Sequence, residues 1–316
     1  MRVVVGADVG GTKLAVRVAP LGAQPGTEPG MEPGIEPGTG QDPAYTDHLL
    51  AADGWEASPV DTAAGWLLER LARVVPQGAG IAAVGIGAQG CDTQHHCAEL
   101  AAAVEKSGVP AVVVNDAALL VPAAGLDAGI GVVAGTGSIA VAADAGGEVL
   151  FAGGWGWVLG DEGGAPAIVR DAVRAALAAY DAGSADDGLL AALLGHFAAP
   201  DPQTLARIVN DEPTPGNWGP AAPAVFRAAD AGSALAAGVI EGAARELELL
   251  VSRVVGRGAV GDTVVAAGSV VVRQPRLAGA FRARLALTQP QLTLRLLDVP
   301  PVAGALALAR ARLRTS

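Results

Sequence analysis

Aromatic side chains make up only 3% of this 316-residue chain, although half of its residues are hydrophobic, so alanine, valine, leucine and glycine must carry the packing. Cysteine is scarcer still: two residues, too few for a disulfide framework. Basic residues are outnumbered, 21 Lys and Arg against 32 Asp and Glu, and the formal charge of −11 repels nucleic-acid phosphates and acidic membranes. No Lys- or Arg-rich run offsets that charge. Long apolar runs are missing as well. The uncharged stretch 128–143 carries four glycines in 16 residues and falls short of the ~20 that a membrane helix needs. The opening MRVVVGADVGG is too short and too soon charged for a signal peptide. These absences argue against nucleic-acid and membrane partners and predict a soluble, cytoplasmic protein. The length favours two domains.

What is present reads as α/β. A β-branched run over 2–8, a glycine turn and a second run over 14–21 predict a hairpin. The repeat PGTEPGMEPGIEPGTG (25–40) has almost nothing to bury, and predicts a flexible surface insert over 23–42. Helical spacing over 60–75 places Trp66, Leu67, Leu71 and Val74 on one side. A buried strand over 81–90, a helix over 97–108 and a strand-to-helix junction over 110–120 follow. From Gly129 a similar order begins again: three strands to residue 154, a helix over 166–181 with proline at its first position, helices over 189–197 and 233–255, a strand over 262–272 and a closing helix over 303–313. Two hairpin-plus-helix units, each opening with a strand and a Gly/Thr turn, indicate an internal duplication.

GADVGGTK (6–13) resembles a phosphate-binding Walker loop, but its order is Gly11, Thr12, Lys13 and a strand follows it, so it is not one. Its glycine turn can still form a backbone concavity for an anion, with Thr12 adding a hydroxyl, or it can be a plain hairpin turn. Asp8 at the strand end is placed to hold a hydrated magnesium ion. AGTGSIAV (134–141) repeats the device, and a pair of such turns reads as two phosphate clips facing across a cleft. GIGAQG (85–90) matches the dinucleotide pattern, yet no long helix starts inside it, and it reads as a tight turn after a strand. CDTQHHC (91–97) has neither zinc-finger spacing nor convergent histidines, and reads as a polar loop in which Asp92 touches substrate. Asp116 lies where an apolar strand delivers it to a sheet's carboxyl edge; spacing alone leaves it equally a general base or a helix N-cap.

DVGGTK, NDA, GTGS, GGWGWVLGDEGG and AAGS together, in this order, resemble the actin-like sugar kinase superfamily, and more narrowly the N-acetylglucosamine kinase group within the BadF/BadG/BcrA/BcrD ATPase family. The resemblance spans nearly the whole chain apart from the Glu-Pro-Gly insert. It implies two duplicated RNase H-like domains of actin/hexokinase type with a cleft between them: 1–118, completed by the C-terminal helix 303–314, and 119–302. It also implies ATP and magnesium as cofactors and a small sugar as substrate; separately, the alanine-rich helices offer a face for a homodimer. By the match Gly10, Gly11, Thr12, Lys13, Gly135, Thr136, Gly137, Gly268 and Ser269 would bind ATP. Asp8 would hold magnesium through water, and Asp116 would take the sugar hydroxyl proton. Ser138, Gly154, Trp155, Gly156 and Asp161, with Asp116, would line the sugar pocket, Trp155 as an apolar wall; Trp157 reads as core.

The reaction implied is phosphorylation of an amino sugar, N-acetylglucosamine foremost, at its C6 hydroxyl. Glucosamine, N-acetylmuramic acid or another hexose are alternative acceptors. A different class of reading is an ATPase that activates a partner reductase through an iron–sulfur cluster, for which Cys91 and Cys97, six apart, are poorly spaced. A third is a sugar sensor that binds without turnover.

Overall fold

The computed structural model describes residues 1–22 and 45–314, so the Glu-Pro-Gly insert lies outside the described residues. The chain divides into two compact units, Met1–Gly129 with Gly146–Val149 and Leu297–Ser316, and Ile130–Ala145 with Leu150–Leu296.

The first unit is built on a five-stranded mixed sheet of β1 (Arg2–Val9), β2 (Lys13–Pro20), β3 (Thr46–Ala51), β4 (Gly80–Ala88) and β5 (Ala111–Val114), ordered β3-β2-β1-β4-β5. β1 pairs antiparallel with β2 and parallel with β4, and β4 pairs parallel with β5. Alternation decides what each face meets. Val3, Val5, Ala7 and Val9 of β1 join Val84 and Ile86 of β4 in a core covered by α1 (Val60–Val74) and α2 (Gln94–Glu105). The alternate residues Val4 and Ala83 meet Leu306 and Ala309 of α12 (Val302–Arg314) on the opposite face. Between them, Gly6 and Gly85 are register partners with no side chains. A Cβ on Gly85 would lie 2.0 Å from the Ala305 carbonyl oxygen of α12. After β5 come a 3₁₀ turn (Asp116–Leu119) and the short α3 (Leu120–Ala123). These pack on α12, where a Cβ on Gly304 would lie 2.1 Å from the Leu119 carbonyl oxygen. This packing accounts for the division falling after Gly129, beyond the 118/119 boundary read from sequence.

The second unit repeats the sheet: β6 (Ile130–Ala134), β7 (Ser138–Ala143), β8 (Val149–Gly153), β9 (Thr263–Ala267) and β10 (Thr293–Leu296), ordered β10-β9-β6-β7-β8. With β6 in the place of β1, that order is the order of the first unit. β6 again pairs antiparallel with the next strand and parallel with the fourth. The duplication read from the glycine turns is therefore a duplication of topology, a two-domain α/β fold of actin/hexokinase type. The helices of this unit are α4 (Ala165–Asp181), α5 (Leu189–His196), α6 (Pro202–Asp211), α7 (Pro215–Trp218), α8 (Ala222–Asp230), α9 (Ala234–Val255), α10 (Ser269–Arg273) and α11 (Pro275–Thr288). They bury an alanine- and valine-rich core in which Phe281 and Leu247 are fully enclosed. Among the described residues no helix is long and apolar enough to cross a membrane.

Several details differ from the sequence reading. The strand expected over 262–272 stops at Ala267, and SVVVR is helical, with Val270 and Val271 buried in the core. α2 starts at Gln94, earlier than 97, because Thr93 caps it by accepting from the His96 N–H. Proline occupies the second helical position of α4, with Gly164 as N-cap. Asp116 opens a 3₁₀ turn and not an α-helix.

The loop before α5 is bolted to the start of α9 by Asp187. Its carboxylate accepts from the Ser233 hydroxyl at 2.9 Å, the Leu235 N–H at 2.9 Å and the Leu189 N–H at 3.2 Å. Desolvation disfavours the charged form, but these bonds outweigh it and hold the carboxyl below its usual value. Asp187→Ala is expected to lower the melting temperature near pH 7 by about 2–4 °C, the shift that a lost cap produces in a unit of this size. Because the folded-state pKa is the lower one, that deficit is fully present above the unfolded value near 4 and vanishes as pH falls through the folded value. Thermal melts at pH 7 and pH 3 check the sign.

Candidate active site

In the first unit three carboxylates gather at the carboxyl ends of the parallel strands, the edge where open α/β sheets bind ligands. Asp8 is the penultimate residue of β1, Asp92 follows β4, and Asp116 follows β5. Asp8 is half-buried, and its pKa is pushed up to about 7, by burial first and by the Asp116 carboxylate second. Asp116 is also raised; burial is the main cause, opposed by the Ala117 N–H that its Oδ1 accepts at 3.0 Å, and Asp92 adds to the rise. A raised carboxylate in a polar edge is what a general base for a hydroxyl requires.

The N-cap role that spacing left open for Asp116 belongs to its neighbour. Asn115 is buried, accepts from the Ala117 N–H at 3.0 Å, and donates to Asp92 Oδ1 at 3.0 Å and to the Cys91 carbonyl at 3.4 Å. It ties the ends of β4 and β5 together and fixes the backbone from which Asp116 projects. Asp92, expected to touch substrate, has its Oδ1 engaged by this amide. CDTQHHC is not wholly a loop either, since its last four residues belong to α2. Cys91 and Cys97 are free thiols, buried in the core.

The turn Gly10–Thr12 joins β1 to β2 beside these carboxylates, closed by a Gly10 N–H to Lys13 carbonyl bond of 3.0 Å. Two residues that the sequence did not single out support it. The Gln89 side chain covers Gly11, with Oε1 3.0 Å from where a Cβ would stand. The Trp55 indole N–H holds the Gln89 carbonyl at 3.1 Å, and its ring lies against Trp66 at 5.1 Å. Their separations of 78 and 34 residues leave no local signal.

In the second unit the structure assembles most of the residues expected at the phosphate and sugar. Gly135 and Gly137 close the β6–β7 turn with a 3.0 Å bond, Thr136 between them. A Cβ on Gly135 would lie 3.6 Å from the Ser269 N and 3.7 Å from the Gly268 Cα, so the two segments expected at ATP are neighbours. Ser138 donates its N–H to Asp161 Oδ1 at 3.3 Å and its hydroxyl to the Glu162 carbonyl at 2.7 Å. A Cβ on Gly137 would sit 2.8 Å from Asp161 Oδ2, so a side chain there would push the Asp161 carboxylate from its place. Gly154 and Gly156 adopt positive φ and let the loop turn twice. Trp155 is 75% exposed, whereas Trp157 packs edge-on against Trp218 at 5.4 Å on the core. The GGWGWVLGDEGG segment is therefore a loop pinned by Ser138 and Trp157, presenting Trp155 to solvent.

Comparison with known proteins places this geometry. A sequence profile of the BadF/BadG/BcrA/BcrD ATPase family matches residues 5–306. The chain belongs to that family. A search of curated proteins returns no match. Among solved structures, a candidate N-acetylglucosamine kinase from Chromobacterium violaceum has 22% identity and a TM-score of 0.61, over 98% of this chain and 99% of that one. A ROK family glucokinase from Streptomyces griseus, solved with glucose and AMPPNP, has 17% identity and a TM-score of 0.55 over 99% of both chains. A ROK hexokinase from Thermus thermophilus has 18% identity and a TM-score of 0.54 over 99% of both. At these identities the likeness is one of fold: this BadF/BadG/BcrA/BcrD member shares the two-domain actin/hexokinase-like α/β fold of those structures.

Proposed function

We propose that this family member is an ATP- and magnesium-dependent kinase that phosphorylates the C6 hydroxyl of an amino sugar, N-acetylglucosamine foremost. The observation that carries the reading is Asp116: half-buried, raised in pKa, anchored through Asn115, and in the same unit as the glycine turn Gly10–Thr12 and Asp8. In this mechanism Asp116 takes the proton from the acceptor hydroxyl as the hydroxyl oxygen attacks the γ-phosphorus of ATP, whose bond to the β,γ-bridging oxygen breaks to release ADP. Backbone N–H groups of Gly11 and Thr12, and of Thr136 and Gly137, hold the phosphates, while the Gly10 and Gly135 N–H groups close the two turns and Lys13 adds positive charge. Gly268 and Ser269 border the adenosine; Ser138, Asp161 and the Trp155 loop orient the sugar. Phosphoryl transfer needs such positioning and charge stabilisation more than covalent chemistry.

The donor set fits magnesium held through water. Asp8 is a carboxylate kept protonated up to about pH 7 by burial and by Asp116, and a divalent cation would relieve that repulsion. The remaining ligands of such an ion would be water and phosphate oxygens. When bound, the ion supplies neutralisation of the phosphate charge. The reductase-activator reading draws no support from the thiols, because Cys91 and Cys97 lie inside the core of the first unit.

The test is ADP release with magnesium-ATP across N-acetylglucosamine, glucosamine, N-acetylmannosamine, N-acetylmuramic acid and glucose. Sugar-dependent release, greatest with N-acetylglucosamine, is expected. A flat response over slow basal hydrolysis would sink the kinase reading.

A further inference from the structure

Glu162 is the one acidic residue of the GDEGG block to which the phosphoryl-transfer chemistry gives no task. Its carboxylate is taken by α4: Arg170 Nη2 lies 2.6 Å from Glu162 Oε2, and the Nε of the same guanidinium lies 3.1 Å from Asp171 Oδ1. The side chains of Arg170 and Glu162 are 27% and 39% exposed, so water screens the pair only in part. The main chain of Glu162 is held on the other side, where its carbonyl accepts from the Ser138 hydroxyl. Glu162 thus joins the end of the β6–β7 turn to α4. Its neighbour Asp161 has φ +59°, a left-handed conformation uncommon outside glycine, and keeps its carboxylate against the Ser138 N–H. Burial raises Asp161, the Ser138 N–H opposes the rise, and the negative charge of Glu162 adds to it.

We propose that Arg170 is a positioning residue: by gripping Glu162 it holds Asp161 in its left-handed conformation against Ser138, and thereby sets how tightly this loop binds the acceptor. The acceptor clause rests on the kinase reading; the grip on the loop does not. Without Arg170, an unneutralised carboxylate stands beside Asp161, and the backbone that is least comfortable gives way first. Removing that carboxylate as well should then restore much of what the loss of Arg170 costs.

The experiment compares Arg170→Met, Arg170→Lys, Glu162→Gln and the double variant Arg170→Met/Glu162→Gln in the full chain. Two readouts are used: hydrogen exchange in peptides covering 134–141 and 160–169, and KM and kcat for acceptor and ATP. Arg170→Met is expected to speed exchange in both peptides and to raise acceptor KM about tenfold, with kcat within about threefold and ATP KM unchanged, as a displaced binding loop would do. Arg170→Lys recovers part of the loss, since a point charge replaces the fork. The double variant recovers more than Arg170→Met alone, which generic destabilisation would not do. If exchange is unchanged, if kcat and ATP affinity fall along with acceptor affinity, or if the double variant is no better than the single, the proposal is overturned. Should no sugar support turnover in the wild type, the kinase reading fails by itself, and the exchange data still decide whether Arg170 holds the loop.

Discussion

Asp116→Asn is expected to lower turnover about a thousandfold, the range that removal of a positioned general base produces, while leaving nucleotide affinity within about threefold. The substitution is nearly isosteric, and its amide oxygen can still accept from the Ala117 N–H that Asp116 Oδ1 engages now. The cap of the 3₁₀ turn belongs to Asn115 and is untouched. What disappears is the capacity to take a proton. The pH profile sharpens the test. Burial raises Asp116, so the acid limb of kcat/KM should lie above the usual carboxylate value near 4, with activity lost as pH falls and the base is protonated. Removing the Asp116 charge also removes the second cause of the rise at Asp8. Asp8 should therefore titrate below 7 in the variant, and magnesium should compete less with protons there. Steady-state ADP release and calorimetric nucleotide binding, run on both proteins from pH 5 to 8, measure these effects. Wild-type turnover by Asp116→Asn would reduce Asp116 to a turn residue and remove the kinase mechanism.

What was legible in the sequence was local or repeated. The two hairpins declare themselves through β-branched runs broken by glycine, and their recurrence pointed to a duplicated sheet before any topology was known. Asp116 could be named because a short apolar strand delivers it to a sheet edge. SVVVR misled because three consecutive β-branched residues favour a strand, and burial of Val270 and Val271 against the second core overrides that preference. Of the helices not read from sequence, α11 blurs the 3.6-residue period with interspersed arginines and alanines, whereas α6 and α8 carry that period clearly, with Leu205 and Val209 of α6 buried four residues apart. The supports of the site were hidden for another reason: they act between elements. Asn115 meets Asp92 across 23 residues and Trp55 meets Gln89 across 34, distances that only the strand order closes. Arg170 sits just eight residues from Glu162, yet nothing in that spacing shows that the loop folds back so that the guanidinium reaches the carboxylate.

Gly85→Ala should be the most damaging substitution for the fold, costing at least about 3 kcal/mol, because an added methyl here cannot relax as an overpacked core side chain does. The new Cβ would lie 2.0 Å from the Ala305 carbonyl oxygen and 2.9 Å from the Ala309 nitrogen, both backbone atoms of α12. Relief requires the whole helix to lift from the sheet. The helix cannot lift locally, because Gly304 lies against the Leu119 carbonyl, and its own Cβ would stand 2.1 Å from that oxygen. Lifting α12 would open the contact of Leu306 and Ala309 with Val4 and Ala83 and loosen the turn that carries Asp116. Stability and activity should therefore fall together. Gly65→Ala supplies the opposite sign in the same unit. Gly65 lies mid-helix in α1, exposed, with nothing within 4 Å of the added methyl, so alanine should stabilise by about 0.5–1 kcal/mol through lost chain entropy. Thermal melts of the two variants beside the wild type decide the matter. If Gly85→Ala melts with the wild type, α12 does not rest on the sheet as closely as this packing requires, and the glycine pair Gly6–Gly85 has no structural reason.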